Sequence, residues 1–203
     1  MLILGFDTAL DKMYVALKKD DVFLASEIVE NKDGKYHSAF LISTVKNVLK
    51  KNGLKPQDID LIATNIGPGS FTGIRACITV ARIMAQQLDC KVIGIPSLKI
   101  LSKLSSENPL VALDARKHSA YLYADGEIKG AVDIDEIEKI IKNGTYDVIT
   151  DAKMHEIFGG VQYDLESANL GEILVNIAQD EYKTSELDWR KLKPLYIQPP
   201  PMG

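Results

Sequence analysis

Gly67-Pro68-Gly69-Ser70-Phe71-Thr72-Gly73-Ile74-Arg75 joins two segments of different periodicity. Ahead of it, Leu61-Ile62-Ala63-Thr64-Asn65-Ile66 is a short apolar run of the kind buried as a strand. Behind it, Ile74, Ile78, Ala81, Met84, Ala85 and Leu88 recur at three- and four-residue steps, which is one face of a helix. The order is therefore strand, glycine-rich turn, helix. Three glycines in seven residues allow positive φ or the close approach of another group, and Ser70 or Thr72 can cap the helix.

An anion suits the amides and dipole at a helix start. The usual phosphate signatures nevertheless fail. No lysine stands where a P-loop needs one. Gly67, Gly69 and Gly73 are one residue too far apart for a dinucleotide fingerprint. Pro68 replaces the glycine of a nucleophile elbow and removes an amide donor. The pattern fits both a structural corner and a ligand-binding turn.

Upstream, residues 2–7 form an apolar run ending in Asp7, and 13–17 and 22–25 read as two further strands joined by hairpins. A polar loop spans 31–36. A helix is predicted from about 38 to 52, with Phe40, Leu41, Val45, Val48 and Leu49 as its stripe, Ser38 as cap and Gly53 as stop. Downstream, 92–95 reads as a buried strand and 98–104 as a helix. The turn-rich stretch 105–109 divides an N-terminal part, 1–104, from a C-terminal part, 105–203.

The second part begins as the first does. Residues 110–114 are an apolar run ending in Asp114, and Asp114 to Tyr121 spans the same seven steps as Asp7 to Tyr14. Strands follow at 121–124 and 128–132. Two unrelated hairpins would give this pattern, and so would a duplicated domain. A helix at 134–142, a strand at 146–150, an irregular stretch at 155–160, a strand at 161–165 and a helix at 170–181 complete the prediction. A closing segment, 189–197, leads to an extended tail at 198–201.

The 203 residues carry a mild formal charge of −4, which argues against a protein that grips nucleic acid unaided. Cys77 and Cys90 fall on one predicted helix, about 20 Å apart and out of disulfide reach, which suits a reducing cytoplasm. No apolar run reaches membrane-spanning length, and no signal peptide is visible. His37 heads the first predicted helix, but Leu41 stands where a second metal-binding histidine would follow. His118 and His155 lie in predicted turns, so no metal is expected. Asp7 and Asp114 end strands, where a carboxylate can orient magnesium or accept turn amides. A Ser70–His37–aspartate triad has no spacing to support it. The basic groups at 50–51, 116–118 and 190–191 read as solvated faces, one of which could touch an acidic partner or an RNA backbone once a complex has formed.

The glycine turn, Leu4-Gly5-Phe6-Asp7-Thr8, the single His37 at a helix start, Leu113-Asp114-Ala115-Arg116 and Pro194-Leu195-Tyr196-Ile197 together resemble the TsaB (YeaZ) family from residue 2 to about 197. One departure is that the family usually has arginine where Ile197 or Gln198 stands. The resemblance implies an α/β actin-like ATPase fold (ASKHA, ribonuclease H-like), duplicated into two lobes with mixed five-stranded sheets. The last helix and tail are expected to pack back on the first lobe. It implies a non-catalytic subunit for N6-threonylcarbamoyladenosine at tRNA position 37, supporting TsaD-type and TsaE-type proteins, with a homodimer when alone and tRNA met through the complex. It implies no cofactor of its own beyond weak nucleotide binding, no membrane and a cytoplasmic location. The outer faces of helices 38–52 and 73–89, with His37 and Ile42, are expected to dock the partner. The glycine turn, Gly67 to Gly73 with Arg75, is expected to touch a ligand or that partner. An independent nucleotide-dependent enzyme is the rival reading, and a peptidase the more distant one.

Overall fold

The computed structural model describes residues 1–30, 37–165, 169–185 and 187–198. The expected loop at 31–36 and the proline tail from 199 lie outside them. In chain order the elements are β1 (Leu2–Asp7), β2 (Met13–Lys19), β3 (Val22–Val29), α1 (Leu41–Lys51), β4 (Leu61–Asn65), α2 (Phe71–Leu88), β5 (Lys91–Ile95) and α3 (Ser97–Ser102). There follow β6 (Pro109–Arg116), β7 (Ser119–Ala124), β8 (Glu127–Asp133), α4 (Ile134–Asn143), β9 (Asp147–Thr150), α5 (Ala152–Phe158), β10 (Val161–Gln162) and α6 (Leu170–Glu181).

The chain forms two compact units, Met1–Ser97 with Asn169–Leu195, and Leu98–Ala168 with the residues from Tyr196. The boundary lies at Ser97 rather than at 104/105, because Ser97 is bound into the first unit. Its amide donates to Gly67 O at 2.9 Å and its hydroxyl to Pro68 O at 2.6 Å. The composition shift at 105–109 marks only the approach to β6.

In the first unit the sheet order is β3-β2-β1-β4-β5. The β1–β2 and β2–β3 pairs are antiparallel, and β1–β4 and β4–β5 are parallel. One face, carrying Leu2, Leu4, Phe6, Val15 and Ile62, is buried under Leu41, Val45, Val48 and Leu49 of α1 and Ile74, Cys77, Ile78 and Ala81 of α2. The Leu, Ile, Val and Phe side chains among these contribute roughly 1.5–3 kcal/mol each on full burial. Helix α6 packs on β1 and β2, so tightly that a Cβ at Gly5 would lie 2.3 Å from Val175 Cγ1.

The second unit repeats this topology in the order β8-β7-β6-β9-β10. Again two antiparallel pairs, β6–β7 and β7–β8, adjoin two parallel ones, β6–β9 and β9–β10. Its own core gathers Leu110, Ala112, Ala120, Leu122, Ile134, Ile137 and Met154. The two hairpins differ in register: Asp7 faces Tyr14, whereas Tyr121 faces Leu113 and a bulge follows Asp114.

Four local expectations change. The first helix begins as a 3-10 turn, His37–Phe40, with Phe40 at the N-cap of α1 and exposed rather than in the stripe; the side chain of Ser38, the expected cap, lies outside what the structure describes. Residues 155–160, expected to be irregular, belong largely to α5, which Asp151 caps by accepting from Met154 N at 2.9 Å. Strand β10 keeps two residues and then turns through Tyr163–Leu165. Helix α2 ends at Leu88 with Asp89 left-handed, so Cys90 lies beyond it; both cysteines are free thiols. Among the described residues no helix is long and apolar enough to cross a membrane.

Candidate functional site

Asp7 ends β1 fully buried. Its Oδ1 accepts from Ala9 N at 2.6 Å, and its Oδ2 accepts from Asn65 Nδ2 at 2.9 Å. Burial pushes its carboxyl up to about 6, against the opposing pull of the Asn65 side chain and the Ala9 and Leu10 amides. Asn65 is the hub of the turn. Its Oδ1 accepts from Gly67 N and from Ser97 Oγ, each at 2.8 Å. The sequence offers one signal for this role, an asparagine closing an otherwise apolar strand. Its partners cannot be read that way, because Ser97 is distant in the chain.

The glycines serve the fold of the chain itself. A Cβ at Gly73 would lie 1.8 Å from Thr8 O, and one at Gly69 would lie 2.4 Å from Ala9 O. The turn after β1 therefore fills the space that a ligand would need against these two glycines. The contact is bonded as well: Ser70 N donates to Ala9 O at 2.8 Å, and Thr8 Oγ1 donates to Gly73 O at 2.9 Å. Ser70 caps α2 by accepting from Gly73 N at 3.2 Å. Beneath, Thr8 N donates to Cys77 Sγ at 3.1 Å. Burial first, then the charge of Asp7, pushes the Cys77 thiol up to about 12, so it is neutral and unreactive at ordinary pH. Gly67 takes φ +101°, which a side chain rarely adopts. Phe71, Thr72 and Arg75 face outward.

The outer faces of α1 and α2 hold a different feature. An apolar groove of about 730 Å³ lies between them, lined by Ile42, Val45, Leu54, Val80, Ile83 and Met84 among others, with Lys46, Lys50 and Gln87 beside it. Ile42 is 68% exposed and Ile83 55%, so the groove is open rather than part of the core.

In the second unit Asp114 accepts from Arg116 N at 2.9 Å and pairs with Lys153 Nζ at 2.8 Å. Arg116, Lys117 and His118 are successively left-handed. His118, Asp133 and Asp135 lie together on the surface, where Asp133 caps α4 by accepting from Asp135 N at 2.9 Å.

The family model of tRNA N6-adenosine threonylcarbamoyltransferase, TsaD, matches residues 24–148. Proteins named tRNA threonylcarbamoyladenosine biosynthesis protein TsaB are similar to the chain. That of Bacillus subtilis is 34% identical over 102 residues, 50% of this chain and 44% of the relative. That of Escherichia coli is 31% identical over 126 residues, 60% and 53%. That of Buchnera aphidicola subsp. Schizaphis graminum is 28% identical over 157 residues, 70% and 73%. The matched part thus spans about half the length of the first two. Among solved structures, YeaZ from Pseudomonas aeruginosa superposes with a TM-score of 0.75 at 23% identity, covering 96% of this chain and 99% of that one, which shows a common fold.

Proposed function

The chain belongs to the TsaD family, among its TsaB/YeaZ members, and from that premise we propose that it is a partner subunit in forming threonylcarbamoyladenosine on tRNA. It binds a TsaD-type protein, with a TsaE-type protein joining, and performs no chemistry of its own. The observation that carries this reading is the open groove between α1 and α2. Ile42 and Ile83 stand exposed beside half-buried Val80 and Met84, an apolar patch of the kind that marks a protein contact. A TsaD-type protein shares the family, so its own matching helices can lie against these. The same self-similar face allows a twofold homodimer when the partner is absent.

The glycine turn supports the non-catalytic part of this reading. Gly69 and Gly73 pack against the chain's own Thr8 and Ala9, and the carboxylate and amide of Asp7 and Asn65 bond one another and the turn. Neither aspartate nor serine is held ready for a reacting atom: Ser70 Oγ serves the helix cap. Leu41, four residues after His37, is buried in the core.

The test is co-purification of the full chain with a TsaD-type protein from the same organism. Ile42→Asp is expected to abolish the pairing while leaving the thermal melt unchanged, and undiminished pairing overturns the choice of face. Titration of the chain alone with ATP and magnesium checks the rest. Turnover by the isolated chain would favour the independent nucleotide-dependent enzyme.

A further inference from the structure

Next to the groove, α2 presents a surface of opposite character. Arg75 and Arg82 stand seven residues apart, so they project from one side of the helix about 10 Å from each other along its axis. The helix carries no acidic residue. The Arg75 guanidinium lies 5.3 Å from the centre of the Phe71 ring, and that of Arg82 lies 5.9 Å from Trp189. Trp189 also receives Arg190 at 4.7 Å. These distances are within the range of cation–π attraction.

Trp189 belongs to residues 187–195, which run beside α2 as a strap. Val92 N donates to Leu187 O at 3.4 Å at one end, and Leu195 N donates to Ile66 O at 2.9 Å at the other. Between these anchors Leu192 is buried, and a Cβ at Gly94 would lie 2.7 Å from its Cδ1. The strap thus leads from Arg82 back toward the glycine turn, carrying exposed Arg190, Lys191 and Lys193. Its one carboxylate, Asp188, pairs with Arg190. Along α2 and strap residues 187–195, all of them described, five cations stand against one acid, in a chain whose formal charge is −4.

We propose that α2 and the strap form an RNA-contacting surface, in which Arg75, Arg82, Arg190, Lys191 and Lys193 meet phosphates and the guanidinium–Trp189 stack receives an unpaired base. The proposal rests on the reading that the chain works on tRNA. Cations alone would serve an acidic protein. Guanidinium groups held over aromatic rings add a face for base stacking, which is how single-stranded RNA is held. The span from Arg75 to Arg82 equals about three stacked nucleotides at roughly 3.4 Å each. Ile83 lies about 100° around the helix from Arg82, so groove and stripe can be occupied together.

The experiment is fluorescence anisotropy of the full chain with a labelled, unmodified tRNA transcript across a salt series. Wild type is expected to bind in the weak range, with Kd on the order of 10⁻⁴–10⁻⁶ M. Arg190→Gln with Lys193→Gln is expected to weaken binding about tenfold at low salt and to flatten the log K against log salt slope by about 1.4. The thermal melt should not change, and Lys129→Gln in the second unit should have no effect. No binding by wild type, an unaltered slope in the double variant, or equal displacement by polyglutamate would overturn the proposal, the last in favour of an acidic protein. Ile42→Asp should leave tRNA binding intact. Loss of the RNA surface and loss of the docking face therefore read out separately.

Discussion

The two units share a strand order yet end their first strands differently. In the first, Asp7 is buried, bonded to Asn65 and raised toward neutrality, and a long glycine turn separates β4 from the 18-residue α2. In the second, Asp114 is partly exposed and held by Lys153, and Asp151 directly follows β9 to cap the seven-residue α5. Both aspartates accept from the amide two residues on. The common feature is thus a local turn device, and the difference lies in what packs over it. Where the glycines let two chain segments touch, the turn becomes a rigid base for α2, and α2 carries both the groove and the cationic stripe.

The largest expected effect tests that contact. Gly73→Ala drives a Cβ to 1.8 Å from Thr8 O, and urea unfolding should show a loss of about 3 kcal/mol or more. Gly126→Ala in the second unit, at φ +82° with open space around it, should lose only about 1 kcal/mol. Equal losses would break the contrast.

Asn65→Ala comes next. It takes the Asn65 bond from Asp7, Gly67 N and Ser97 Oγ, of which Asp7 keeps Ala9 N and Ser97 keeps Pro68 O, and a loss of about 3 kcal/mol is expected. Asp151→Ala removes a helix cap and should lose about 1 kcal/mol.

The burial of Asp7 also makes stability depend on pH. Its folded value of about 6 lies above the ordinary 3.8, so folding favours the protonated form. This contribution is complete below pH 3.8 and fades as pH rises through 6, amounting to about 3 kcal/mol. Relative to wild type, Asp7→Asn should lack that fall between pH 4 and 6 in unfolding measured at several pH values. A parallel pair of profiles would contradict the buried carboxyl. The smallest effect belongs to Lys153→Ala: its ion pair with Asp114 is at the surface, and a change below about 0.5 kcal/mol is expected in the same assay.

Much of this was legible in the residues. Apolar periodicity located α2, α6 and the first three strands, and a short hydroxyl before an apolar run marked Ser70 or Thr72 as the cap, of which the structure uses Ser70. The repeat of Asp7 and Asp114 pointed to the paired sheets. The close approach of Thr8 to Gly73 was not legible, because a glycine looks the same whether a ligand or the chain's own backbone fills its empty side. Helix α5 escaped notice because His155, Gly159 and Gly160 suggested a loop, while the Asp151 cap and the buried Met154 that stabilise it are too few to form a pattern. The cationic stripe was hidden for another reason: its two halves are far apart in sequence and meet only when the strap folds beside α2.

The proposed function requires contact between subunits through α1 and α2. Affinity for a TsaD-type protein, measured by calorimetry for wild type, Ile42→Asp and Leu165→Asp, tests it most directly. Leu165 is as exposed as Ile42 but lies in the second unit. Loss of binding in Ile42→Asp with full binding in Leu165→Asp is the predicted result. Full binding in Ile42→Asp, or equal loss in both, would contradict it.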